Sequence, residues 1–295
     1  MPIYIFDLQK KIVLSPKHIN HFETLLSEKI KESYLLSGGD INSVYALITK
    51  NQKVVIKLNS NSKFPGLFEA EAAGLQKLRD CNCFVIPDVL QVGTLGDDAF
   101  LMMPYIAKGE KTTNFSEEFG KRLAQLHRES KPYFGFEEDN YIGSLSQKNT
   151  KCKSAFDFYI VSRLEPQFNI AIQKGFAFLG LDMFYKNIEN EIPSEKSSLV
   201  HGDLWNGNYI INEEGLPCLI DPAVAYASRE MDIAMMHLFG GFDNRIFEVY
   251  HDTYPLIENW KIRQPIWQLY YLLVHLNLFG VSYYQQVKTI VKMYS

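Results

Sequence analysis

The sequence predicts a bilobal α+β protein: a small N-terminal lobe built on an antiparallel sheet with one main helix, and a larger, mostly helical C-terminal lobe. Three observations carry this. Short apolar runs with strand-like alternation crowd into the early part of the chain, whereas helical periodicity dominates the rest. A length of 295 residues is enough for two separate cores. The composition, 46% hydrophobic and 22% charged, is that of an ordinary globular protein, and no repeat or low-complexity tract interrupts it. The change from strands to helices puts the boundary after Met103, giving lobes of 1–103 and 104–295.

Each element has its reason. Residues 34–37, 44–48 and 53–58 read as three strands, the last two joined by Thr49-Lys50-Asn51-Gln52. Between the first two lies Ser37-Gly38-Gly39-Asp40-Ile41-Asn42-Ser43, where Gly38 and Gly39 either let backbone amides approach phosphate oxygens or form a plain hairpin turn. Lys57 sits in Val54-Val55-Ile56-Lys57-Leu58, and a charge among β-branched residues calls for an anionic partner. In the helix that follows, Glu71 shares a stripe with Leu75 and Leu78, while Glu69 points roughly 200° away at about 100° per residue. Glu71 is therefore the expected partner of Lys57, against the alternative that both glutamates are solvated.

Strands at 88–92 and 99–103 then lead into Pro104-Tyr105. Such a crossing suits an adenine ring, through apolar contact at Met103 and backbone groups near Tyr105, although Met102 and Met103 equally suit a packed core. Beyond it, 116–129, 153–174, 229–239 and 263–279 read as helices. His127, beside the stripe of Phe119, Leu123 and Leu126, reads as a packing histidine rather than a catalytic one.

Charge and cysteine content narrow the function. A net charge of −4 gives no basic field for nucleic acid or an anionic membrane, so neither is expected as a partner. The first ten residues lack the pattern of a secretory signal, and no stretch approaches the roughly 20 apolar residues of a membrane span, which predicts a cytoplasmic protein. Cys81, Cys83, Cys152 and Cys218 read as reduced thiols, since the Cys81-Asn82-Cys83 pair lacks a second ligand pair for zinc.

The chemistry is carried by His201-Gly202-Asp203-Leu204-Trp205-Asn206-Gly207-Asn208 and by Leu219-Ile220-Asp221-Pro222. Phosphoryl transfer from ATP needs a carboxylate beside the attacking hydroxyl and hard oxygen ligands that hold magnesium against the phosphates. Asp203 is the candidate base, and Asn208 and Asp221 are the candidate Mg2+ ligands. Asp203 and Asn208 keep the Asp-x-x-x-x-Asn spacing of a kinase catalytic loop. Between the metal ligands, 209–211 and 216–220 flank Asn212-Glu213-Glu214-Gly215 and read as a hairpin that folds Asn208 back towards Asp221. The short segment from Asp221 to Arg229 leaves no room for a regulatory loop or a peptide platform, which favours a small-molecule acceptor and constitutive activity. Asp232 either anchors the catalytic loop, with His201, from behind or simply complements a helix start. Trp205 either stacks on a sugar face or is buried in a core.

With these pieces placed, the chain resembles the fructosamine kinase (ketoamine kinase) family, a branch of the protein-kinase-like fold that includes aminoglycoside and choline kinases. The resemblance rests on Gly38-Gly39-Asp40-Ile41-Asn42, Phe68-Glu69-Ala70-Glu71, Phe134-Gly135-Phe136 with Asp139-Asn140-Tyr141-Ile142-Gly143-Ser144, and the two catalytic strings. Arg229-Glu230-Met231-Asp232, Leu238-Phe239-Gly240-Gly241-Phe242 and His275-Leu276-Asn277-Leu278-Phe279-Gly280 add to it. It implies ATP-dependent phosphorylation of the 3-hydroxyl of a sugar ketoamine, a ribulosamine, erythrulosamine or fructosamine adduct, leading to deglycation. Its implied partners are ATP and a small glycated amine or glycated protein side chain, with the protein a monomer or homodimer. Asp40 stands where many members carry a cysteine, so a redox switch in that loop is not implied. Two other readings remain open: an aminoglycoside- or choline-type kinase, and a catalytically silent nucleotide-binding protein.

Overall fold

The computed structural model describes residues 14–36 and 42–295. They divide into two compact units, one of residues up to 115 together with 207–221, the other of 116–206 together with 222–295. This is not a single cut at 103. The segment after 103 and the later hairpin join the first unit because they bond to it: Gly109 N–H donates to Ile211 O at 2.9 Å, and Leu219 N–H to Val85 O at 3.0 Å.

The first unit opens with α1 (Pro16–Leu26), started by a Ser15 cap and Pro16 at its first position and stopped by Ser27 in the left-handed region. Strands β1 (Glu32–Leu36), β2 (Ser43–Ile48) and β3 (Lys53–Ser60) follow, then α2 (Leu67–Asp80), β4 (Gln91–Leu95) and β5 (Asp98–Pro104). The five strands form an antiparallel sheet in the order β1-β2-β3-β5-β4. Period-two alternation sorts β3 cleanly. Val54, Ile56 and Leu58 join Phe22 and Leu26 of α1 in one core, and Val55 packs against Leu36, Val44 and Ala46. β4 lies three residues later than the expected 88–92, because the tight Gly96-Asp97 turn pairs Leu95 with Asp98 and the register runs outward from there.

In the second unit come α3 (Phe115–Leu126, its first residue still in unit one), the hairpin β6 (Asn140–Ile142) and β7 (Leu145–Gln147), α4 (Ala155–Tyr159), α5 (Glu165–Gln173) and α6 (Leu181–Glu191). The helix expected over 153–174 is broken between α4 and α5 by a π turn over Ile160–Leu164, where Glu165 N–H reaches back five residues to Ile160 O. Pro166 has no N–H to give to Ser162 O, which instead accepts from Arg163 Nη1 at 3.0 Å. Strand β8 (Ser198–Val200) precedes the catalytic string, and β9 (Tyr209–Ile211) with β10 (Pro217–Leu219) forms the hairpin assigned to the first unit. β11 (Ala225–Ala227) pairs with β8. Helices α7 (Glu230–Phe239), α8 (Asn244–Thr253), α9 (Trp260–Phe279) and α10 (Tyr284–Met293) complete the unit around a core that includes Tyr159, Phe168, Trp267 and Tyr271. No helix among the described residues is long and apolar enough to cross a membrane.

Candidate active site

The first unit builds a charged cluster on its sheet. Lys57 points from β3 to the face it shares with Val55, and its Nζ donates to Glu71 Oε1 of α2 at 2.6 Å and to the Asp221 carboxylate. Its side chain is 4% exposed, so the ammonium is held by these carboxylates rather than by water. Burial pulls the Lys57 ammonium down, but the charges of Asp221 and then Glu71 outweigh it and hold its pKa well above the ordinary lysine value. Glu69, two residues from Glu71, is exposed. Asp221 itself adopts φ +55°, a left-handed conformation that aspartate tolerates better than most side chains.

The β9–β10 hairpin explains why the candidate metal ligands meet. Its register pairs Tyr209 with Leu219, and Ile220 N–H donates to Asn208 O at 3.0 Å, so Asn208 and Asp221 emerge at the same end. Asn208 is 4% exposed. Beside this end lies an apolar cleft, lined by Val44, Val55, Met103, Pro104, Ile210 and Ile220 among others, with Lys57 and Asp221 at its polar edge. The amide of Tyr105 donates to Lys53 O at 3.0 Å, and the Lys53 ammonium stands 3.4 Å over the Tyr105 ring. That N–H is thus committed to the sheet; Pro104 and Ile106, on either side, line the cleft instead. Gly38, Gly39 and Asp40 lie outside the described residues.

The second unit holds the turn that carries Asp203. Asp232 of α7 is fully buried, and its two carboxylate oxygens accept from His201 N–H at 2.7 Å and from Gly202 N–H at 2.9 Å. Asp203 N–H donates to His201 Nδ1 at 3.3 Å, and Trp205 N–H to Asp203 O at 3.1 Å. Gly202 has φ +84°, and a Cβ there would fall 2.0 Å from Ala223 O, so only glycine fits. Trp205 is half-buried against the core of this unit, which leaves part of its ring for contact with a ligand. His127 is fully buried, pairing through Nδ1 with the Tyr250 hydroxyl at 2.8 Å and through Nε2 with Asp232 at 3.2 Å.

Sequence reasoning named Asp232 but missed Tyr250, which reaches it through His127, and the buried pair of Arg263 with Glu230, whose second oxygen accepts from Trp267 Nε1 at 2.8 Å. Arg229 likewise grips Glu195. Their partners lie more than 30 residues away in the chain, so no local spacing signals them.

Comparison with known proteins agrees with this geometry. A family model described as fructosamine kinase matches residues 15–294. A probable ketoamine kinase of Enterococcus faecium is 39% identical over 85% of this chain and 90% of its own length. Another, of Vibrio parahaemolyticus, is 38% identical over 90% and 93%. Among solved structures, a candidate fructosamine-3-kinase from Haemophilus somnus superposes with a TM-score of 0.84 at 26% identity, covering 94% of this chain and 96% of the other. An aminoglycoside phosphotransferase superposes with a TM-score of 0.63 at 12% identity over 95% and 99%, a likeness of fold alone. The fold is therefore that of the kinase-like phosphotransferases, and the chain belongs to the fructosamine kinase family.

Proposed function

We propose that this protein is an ATP-dependent kinase that phosphorylates the 3-hydroxyl of sugar ketoamines, with Asp203 as the base. The reading is carried by the buried lysine clamped between carboxylates beside an apolar cleft in the first unit; within the second, Asp232 fixes the backbone of the turn that bears Asp203. ATP binds with its adenine in the cleft lined by Val44, Val55, Met103 and Ile210, and Lys57 faces its phosphates. Met103 serves by contact, and Tyr105 serves by packing under Lys53 rather than by its amide. Gly38 and Gly39, which lie outside the described residues, are the glycines proposed to contact the phosphates.

Magnesium fits the donor chemistry. Asp221 and Asn208 offer one carboxylate and one carboxamide, the hard oxygen donors that magnesium takes. Asn208 and Asp221 are the residues that would hold magnesium, which would supply charge neutralisation at the phosphates and would take its remaining ligands from phosphate and water.

Asp203 orients the acceptor hydroxyl and takes its proton as the oxygen attacks the terminal phosphorus, while the bond from that phosphorus to the bridging oxygen breaks and ADP leaves. Asp232 and His201 hold the backbone that carries Asp203, and the half-buried Trp205 stacks on the sugar in this reading. The product carries phosphate next to the ketone carbon. Enolisation towards C1 then expels that phosphate by β-elimination, and hydrolysis of the resulting imine by water frees the amine and leaves a 3-deoxy dicarbonyl sugar, which is deglycation. The substrate is a ribulosamine, erythrulosamine or fructosamine, on a free amine or a protein side chain, and the enzyme works in the cytoplasm, where ATP is supplied and its four free cysteines stay reduced.

The test is magnesium-dependent ATP consumption with ribulosyl-lysine, fructosyl-lysine, choline and kanamycin. Turnover with a ketoamine is expected. Turnover only with choline or kanamycin would move the protein to a sister activity, and silence on all four would favour a nucleotide-binding protein without catalysis.

A further inference from the structure

The string from Phe134 to Ser144 is part of the family resemblance, yet no step above uses it. In the structure it leads into a buried hydrogen-bond chain. Tyr270 of α9 donates its hydroxyl to Gln147 Oε1 at 2.5 Å. Gln147 Nε2 donates to Asn140 Oδ1 at 2.7 Å and to Ala223 O at 3.2 Å, while Asn140 Nδ2 donates to Val224 O at 2.9 Å. Gln147 is 3% exposed, Asn140 6% and Tyr270 1%. The two carbonyls can only accept, so both carboxamides are fixed in orientation and neither can flip without leaving buried polar atoms unpaired.

The anchored peptide is the one that registers the catalytic turn. Ala223 N–H donates to His201 O at 2.9 Å, and Ala223 O is the atom against which Gly202 is packed. We propose that Gln147, locked by Tyr270 and Asn140, is a positioning residue for phosphoryl transfer: it fixes the Ala223 peptide, and that peptide sets where His201, Gly202 and hence Asp203 stand. The inference rests on the reading of Asp203 as base. Asp232 holds the amides of this turn from one element, and Gln147 holds its carbonyl partner from another, so loss of Gln147 frees one support and leaves the other.

Three variants test it in the full chain: Gln147→Met, which keeps length but has no donor, Tyr270→Phe, and the two combined. Hydrogen exchange is read on the peptide spanning 199–206 and on a control peptide within α9, and kcat and KM for ATP are measured per folded protein. Expected are faster exchange in 199–206 with α9 unchanged, and a kcat lower by about 10- to 100-fold with KM for ATP within about twofold, since small displacements of a reacting group act on the chemical step. Tyr270→Phe should lose less than Gln147→Met, and the combined variant no more than Gln147→Met alone, because both act through one path. Wild-type exchange in 199–206 after Gln147→Met, or a kcat that falls only with the folded fraction, would overturn the positioning role. If the wild-type chain phosphorylates no ketoamine, the functional reading falls while the exchange comparison still decides the structural one.

Discussion

The two groups of residues proposed to carry the chemistry, one in each unit, are held by different physics. In the unit with the apolar cleft, the key groups are charged side chains bound to each other: Lys57 on β3, Glu71 on α2, Asp221 beyond β10. In the unit with Asp203, the key contacts run to backbone, with Asp232 taking two amides and Gln147 taking a carbonyl. A charge cluster tolerates rearrangement of its ligand, since the ammonium and carboxylates can exchange protein partners for phosphate and metal. A turn pinned through its own peptides does not. The difference teaches that nucleotide binding should be tunable by charge and pH, and acceptor chemistry by geometry.

The largest expected effect breaks the second half alone. Asp203→Asn should lower kcat by about 10²- to 10⁴-fold with ATP binding retained, as measured by turnover and by titration with a nucleotide analogue; full activity would remove Asp203 from the base role. Gly202→Ala comes next. It must relieve a 2.0 Å approach to Ala223 O at a positive φ, so a loss of more than about 1 kcal/mol of stability together with most turnover is expected in thermal melts and initial rates.

Lys57→Met breaks the first half. Removing the cation leaves Glu71 and Asp221 facing each other in a buried place, and a loss of about 3 kcal/mol is expected. The pH dependence has a definite sign. In the wild type, Lys57 is raised, so its contribution is complete below the unfolded lysine value of about 10.4 and fades only as pH rises through the higher folded value. In the variant, burial and Asp221 both push the Glu71 carboxyl up with no lysine to oppose them, so protonation favours the folded form. The stability deficit of Lys57→Met should therefore shrink from pH 8 to pH 5 in chemical denaturation; a deficit that grows on acidification would contradict the clamp. The smallest effect sharpens the comparison: Glu69→Gln, on the exposed face of the same helix, should stay within about 0.5 kcal/mol of wild type and leave activity unchanged.

What was legible in the sequence follows the same divide. Lys57, Glu71, Asn208 and Asp221 could be singled out because a charge in a β-branched run, a helical stripe and a hairpin turn are local patterns. So could most of the sheet. The catalytic turn announced itself by motif, and Asp232 by its place at a helix start just beyond it, but the more distant supports did not: His127 meets Asp232 and Tyr250 across more than 100 residues of chain, and Gln147 reaches Ala223 from a three-residue strand too short to show alternation. Helices α1, α6, α8 and α10 went unassigned for a related reason. They lie outside the catalytic strings, and α1 and α8 owe their starts to single caps, Ser15 and Asp243. The helix expected over 263–279 begins earlier, at Trp260, and accommodates Pro265 within its early turns.

The most direct measurement is phosphorus NMR of the product formed from ribulosyl-lysine or fructosyl-lysine with ATP and magnesium. The account predicts a phosphate on the sugar 3-oxygen, followed by slow appearance of free phosphate as unmodified lysine is released. A phosphate on another oxygen, or a stable adduct that never releases lysine, would contradict it.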